Sequence, residues 1–265
     1  QLEMEQRYNW YSHEIEIMNI NNILPIGDNT FGIDELTQKA RCIIKDHRLY
    51  SSGGLTHRFN VAIVGPNRSG KSTLLRILSE EVLTELIITD EWKKTFLFFV
   101  DLATLVSDTT EYSRFYHSMV EKTINCIEPQ RPELTPFIPM IKKHFDDVIL
   151  YQQPPKFPKS FMLDPITQKI GYELQFLINR YSQLWNDDEM LVEWVTSVVY
   201  LPILVSKALG FQKFLYVIDH FDVGDVIIDP SPVKFSESPS CVYLIDVFKY
   251  ILTQTNFIIS CSDQQ

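Results

Sequence analysis

The chain has 265 residues, a formal net charge of −10 and a pI near 5.1, with 45% hydrophobic and 12% aromatic content. That length and apolar share can bury a full core, which excludes a disordered chain, and the negative balance argues against a surface built to neutralise nucleic-acid phosphates. Cys42, Cys126, Cys241 and Cys261 are scattered without a C-x-x-C pair. They signal neither a zinc site nor a disulfide framework, and read as reduced thiols of a cytoplasmic or nuclear protein.

Residues 1–30 mix charge, aromatic rings and an Asn-rich stretch without a clear period, which predicts an extended or partly helical lead-in. Its first eleven residues are polar and charged, unlike a secretory signal, and the missing starting Met suggests a piece of something longer. A turn at Gly27-Asp28-Asn29 then precedes Phe31-Gly32-Ile33-Asp34-Glu35-Leu36, with Ala40, Ile43 and Ile44 following at helical spacing. Ser51-Ser52-Gly53-Gly54 is a flexible connection.

Val61-Ala62-Ile63-Val64 predicts a strand, followed by Gly65-Pro66-Asn67-Arg68-Ser69-Gly70-Lys71-Ser72-Thr73 and a helix opening at Ser72. The loop fits G-x-x-x-x-G-K-[ST], in which backbone N–H groups wrap nucleotide phosphates, the lysine reaches the outer ones and the hydroxyl after it meets Mg²⁺. The unpaired N–H groups and positive dipole end of the helix face the same phosphates. Gly65 through Thr73 are therefore the expected nucleotide-binding residues, with Ser72 on the metal and Lys71 at the reacting phosphate.

Thr95-Phe96-Leu97-Phe98-Phe99-Val100-Asp101 is a continuous apolar run, the pattern of a strand buried on both faces of a parallel sheet. Asp101 would face the crevice at the strand end or cap the next turn. Tyr112, Phe115, Tyr116, Met119, Val120, Thr123, Ile124 and Ile127 predict an amphipathic helix. Prolines at 129, 132, 136, 139, 154, 155, 158 and 165 surround one helical patch formed by Ile138, Ile141, Phe145, Val148 and Ile149. The Pro-rich segment 153–158 reads as an extended surface loop rather than a polyproline ligand. Helices are expected over 168–185 and 189–209; the second, bracketed by Glu193 and Lys207 and kinked at Pro202, is too short in uncharged residues for a membrane span.

Phe214-Leu215-Tyr216-Val217-Ile218-Asp219 is a second buried strand ending in a carboxylate, followed by His220-Phe221-Asp222. An acid so delivered opposite a phosphate loop holds the water shell of Mg²⁺, so Asp219 is the second expected metal residue. Asn256-Phe257-Ile258-Ile259-Ser260 closes the pattern as a further buried strand after a helix through Val242, Leu244, Ile245, Phe248, Ile251 and Leu252.

These motifs together resemble P-loop NTPases of the AAA+/STAND (ASCE) superfamily. The resemblance covers Phe31 to Thr73 and Phe214 to Ser262. It implies an α/β fold, a three-layer P-loop NTPase with a central, mostly parallel sheet. Gly32 and Ile33 would border the adenine, although the Arg usual after that glycine is Ile33 here. AAA+ proteins carry Asp-Glu where this chain has Asp219-His220, while STAND proteins place a second acid where Asp222 stands. The resemblance thus makes Asp222 the water-orienting group, with His220 the alternative, and Ser260 the γ-phosphate sensor. The separation of Lys71 from Asp219 exceeds the usual spacing, so a helical and Pro-rich insertion over about 106–210, a contact region for a protein partner or other subunits, is expected within a core of 31–265 that stops short at its C-terminal end. The implied function is a Mg²⁺-dependent module that binds ATP (or ADP) and hydrolyses ATP, slowly or with a partner, as a switch in a larger assembly; the alternative is a nucleotide-binding scaffold with little or no hydrolysis. No Asp-x-x-Gly or Asn-Lys-x-Asp of a GTPase is present.

Overall fold

The computed structural model describes residues 16–19, 38, 41–42, 60–66, 69–105, 109–151, 153–163, 165, 167–185, 191–222, 227–229 and 242–262. Their strands are β1 (Glu16–Asn19), β2 (Asn60–Gly65), β3 (Thr95–Asp101), β4 (Thr109–Glu111), β5 (Lys213–Asp219), β6 (Ile227–Asp229), β7 (Val242–Tyr243) and β8 (Asn256–Ser262). Five of them form one sheet in the order β1-β2-β8-β5-β3, with every neighbouring pair parallel. The four long apolar runs are all in it. The lead-in contributes the edge strand β1, and a small second sheet, β4-β6-β7, was not foreseen.

Side chains alternate along a strand, so each run supplies both faces of the sheet. Val61, Ile63, Leu215, Val217 and Ile258 point to one side, where Leu74, Leu75, Leu78 and Val82 of α1 (Lys71–Ile88) cover them. Ala62, Val64, Phe96, Phe98, Tyr216, Ile218, Phe257 and Ile259 point to the other and join the larger core. That core is built by α2 (Leu102–Leu105), α3 (Tyr112–Asn125), α4 (Ile127–Gln130), α5 (Ile138–Leu150), α6 (Lys159–Leu163), α7 (Gln168–Leu184), α8 (Leu191–Ala208) and α9 (Leu244–Leu252). The result is helix, parallel sheet, helix, as the buried runs imply.

The buried residues of α3 are Tyr112, Phe115, Tyr116, Met119, Val120, Thr123 and Ile124, the stripe that the spacing predicts. The helix packs on β3 and on α8. In turn α5 and α7 pack on one another outside it, so much of region 106–210 thickens one face of the sheet. Pro139 opens α5 in its first turn, where its missing N–H costs nothing. Among the described residues α8 is the one helix long and apolar enough to cross a membrane; it packs on α3, α7 and α9 and runs through Pro202.

The end of α8 aims β5. Gly210 has φ +89°, its N–H donates to Lys207 C=O at 3.0 Å, and the Phe211 N–H donates to Ser206 C=O at 3.0 Å. This paired closure needs a residue comfortable in the left-handed region. A Cβ at position 210 would meet only Arg131 Nη1, at 3.9 Å, so space is not the constraint. Gly210→Ala should therefore cost about 1–2 kcal/mol through backbone strain alone, seen as a lower denaturant midpoint with an unchanged slope. No change in midpoint would show that the turn can be made without a positive φ.

On the outer side of β3, the Gln130 side chain behaves as a short strand. Its Oε1 accepts the Leu97 N–H at 2.8 Å and its Nε2 donates to Leu97 C=O at 2.9 Å. The Phe99 N–H meets the Cys126 sulfur, a thiol whose pKa burial pushes up. These contacts satisfy edge groups that β5 cannot reach.

Candidate functional site

Because the strands are parallel, β2, β3, β5 and β8 all end at the same margin of the sheet, where ligands of open α/β sheets sit. Two constellations meet there. The first is the turn from β2 into α1. The Ser69 N–H donates to Pro66 C=O at 3.3 Å, and the Leu74 N–H donates to Gly70 C=O at 2.9 Å to start the helix. Gly70 has φ +86° and faces open space, with nothing within 4 Å of where a Cβ would stand. The helix begins at Lys71 rather than at Ser72, and its first turn carries no carboxylate to compete for its N–H groups. Lys71 is only 7% exposed and its ammonium donates to Pro66 C=O at 2.8 Å. The Ser69 hydroxyl is buried without a partner among the described residues. Pro66, Ser69, Gly70, Lys71, Ser72 and Thr73 thus form one compact turn after Gly65. Asn67 and Arg68 lie outside the described residues, as do Gly32 and Ile33 of the expected adenine border.

The second constellation is at the ends of β3 and β5, which pair in register so that Asp101 stands opposite Asp219. Asp219 is 5% exposed. Its carboxylate accepts the Ser260 hydroxyl from β8 and, at 3.0 Å on Oδ1, the His220 N–H. The same N–H lies 3.1 Å from Ser260 Oγ. His220 has φ +53°, in the left-handed region where few residues other than glycine are found. That turn brings its Nδ1 to 2.8 Å from Asp101 Oδ1 and 3.8 Å from Asp219 Oδ2. Asp101 fills both roles that its position suggests, since its Oδ1 also accepts the Ala103 N–H at 2.9 Å. One ligand atom from each of Asp101, Asp219 and His220 lies within 4.8 Å of the others.

β8 lies between β2 and β5, with Gly65 opposite Ser262 and Ile63 opposite Ser260. Adjacent strands are about 4.8 Å apart, so the turn and the Asp219 corner are separated by about 10 Å across the sheet margin. Ser260, expected at this margin, therefore sits against Asp219. Asp222 does not join the group: it lies on the single turn after His220, and its Oδ1 is buried without a partner among the described residues.

The Asp101–His220 pair joins residues 119 apart in the chain and forms no local motif. A signal for it does exist. The runs Phe96 to Asp101 and Phe214 to Asp219 both end in Asp, so pairing that sets Asp101 beside Asp219 also brings Asp101 within reach of the residue that follows Asp219. Comparison with protein-family models, with curated proteins and with solved structures returns no match.

Proposed function

We propose that this chain binds ATP with Mg²⁺ across the C-terminal margin of its parallel sheet and hydrolyses it, acting as a nucleotide switch within a larger assembly. The observation that carries this reading is one juxtaposition. A helix N-terminus with a buried lysine and an acid-free first turn stands one strand away from a buried carboxylate. The first favours the negative charge of phosphates; the second suits a hydrated cation. A gap of about 10 Å between strand ends accommodates both.

The residues present fit the metal. The open space at Gly70 and the Ser69 hydroxyl, without a partner among the described residues, leave polar room at the turn. Ser72 would offer its hydroxyl and Asp219 its carboxylate, and Mg²⁺ held there would neutralise charge building on the phosphates. Lys71, released from Pro66 C=O, reaches the outer phosphate, while Ser260 keeps the Asp219 carboxylate oriented. A binding module with little turnover is the second reading, favoured by the position of Asp222 outside the group made by Asp101, Asp219 and His220.

Thermal unfolding with and without nucleotide tests the proposal. At about one hundred times Kd, Mg²⁺·ATP should add about 2.7 kcal/mol of stability, a rise of roughly 5–10 °C in Tm for a chain of this size. An unchanged Tm at millimolar Mg²⁺·ATP would reject it. GTP displacing a labelled ATP analogue at lower concentration than ATP itself would reject the adenine preference.

A further inference from the structure

We infer that His220 orients the attacking water and that Asp101 is the positioning residue that fixes its imidazole; this rests on the ATP-hydrolysing reading above. The argument starts from the 2.8 Å contact between His220 Nδ1 and Asp101 Oδ1. An ionised carboxylate only accepts, so the ring proton belongs on Nδ1. In the neutral ring the opposite nitrogen, Nε2, then carries a lone pair and accepts a hydrogen bond. The His220 side chain is 39% exposed beside an Asp219 side chain that is 7% exposed, so the ring occupies the open side of the corner.

The backbone holds this arrangement at a cost. His220 is one of two non-glycine residues with positive φ among those described, and it is held there from three directions: Asp219 and Ser260 take its N–H, and Asp101 takes its ring. An over-determined, unfavourable backbone conformation of this kind is a feature of functional sites. Asp222, the acid that the resemblance favours, has one oxygen buried and does not enter the group.

Phosphoryl transfer asks little more of the protein than positioning and charge stabilisation. Water held by Nε2 attacks so that its oxygen bonds to the γ-phosphorus while the bond from that phosphorus to the bridging oxygen breaks. The electron pair leaves with ADP, and the water's proton passes to a γ-phosphate oxygen. The imidazole ends as it began.

Asparagine tolerates a positive φ better than most residues and is too short to reach the water, so His220→Asn is the informative variant. It should lower kcat by about 10²-fold with KM within about threefold of wild type. Asp101→Ala removes the one oxygen that meets both the Ala103 N–H and His220 Nδ1, so the ring is no longer held with its proton on Nδ1. This variant should lower kcat by about 10- to 100-fold and shift the ring ¹⁵N resonances of His220 towards the Nε2–H tautomer, a change that a purely structural Asp101 would not produce. Both variants should also lose the extra affinity for Mg²⁺·ADP with aluminium fluoride over Mg²⁺·ADP alone, a readout that needs no turnover. Full turnover and analogue affinity in His220→Asn, or their loss in Asp222→Asn instead, overturns the inference. A wild-type chain that binds Mg²⁺·ATP but neither turns it over nor tightens on the fluoride complex also overturns it and leaves nucleotide binding standing. Failure to bind ATP at all overturns the reading beneath it.

Discussion

Replacing Lys71 by alanine is expected to weaken Mg²⁺·ATP binding by about 10²-fold, because it deletes hydrogen bonds to a charged group that contribute about 1.5–3 kcal/mol. The fold should survive the change. Among the described residues the ammonium bonds Pro66 C=O, and alanine has the highest intrinsic helix propensity. The contacts that anchor α1 come from Leu74, Leu75, Leu78 and Val82, which the substitution does not touch. Titration calorimetry should thus show lost affinity while the nucleotide-free variant melts close to wild type. Lys71→Arg retains a charge but substitutes a planar fork for a compact ammonium, and should recover only part of the binding. A Lys71→Ala chain with an undiminished nucleotide-induced shift in Tm would remove this turn from the site.

Trp194→Ala should destabilise the protein by about 3–5 kcal/mol, the range for truncating a large buried ring. Trp194 is 1% exposed, with the rings of Trp185 and Tyr112 at 4.9 and 5.4 Å between centroids, both edge-on. The group extends through Tyr116 to Tyr181, whose hydroxyl donates to Ser197 C=O on α8. Burial pushes the pKa of Tyr181 and Tyr216 well up, so both remain donors through the neutral range. The Tyr216 hydroxyl donates to Val199 C=O, tying β5 to α8. A cavity at Trp194 therefore loosens the layer on which the strand carrying Asp219 rests. Chemical denaturation should report the loss as a lower midpoint; a cost below about 1 kcal/mol would mean that the neighbouring rings collapse into the space.

The strands β2, β3, β5 and β8 were legible in the sequence because each is an unbroken apolar run, which a parallel sheet covered on both faces demands. Helices α3 and α5 were legible from spacing. What could not be read depends on partners remote in the chain. β1 is four residues long and gains its identity from pairing with β2, and β7 is two residues held by β6. Short strands carry too few side chains to show a period. The candidate site divides in the same way. Its turn at Gly65 to Thr73 and the acid at Asp219 are local patterns, whereas the pairing of His220 with Asp101 joins positions brought together by strand register and by one left-handed residue. The resemblance to STAND proteins put Asp222 forward over His220 because a linear pattern takes no account of φ at the residue after a strand.

The amide of Gln130 covers the β3 edge of the sheet in a way that also limits how copies of the chain can associate there. A parallel sheet ending in an aromatic strand such as β3 would be a template, onto which an incoming strand could nucleate and then recruit another. With the N–H and C=O of Leu97 both engaged by Gln130, a newcomer finds a rung of that ladder taken and has to displace a side chain to pair along the whole strand. Propagation past β3 is thus suppressed by one residue from a four-residue helix. Copies of the chain that meet at this edge are therefore turned from strand pairing towards contacts between side-chain surfaces.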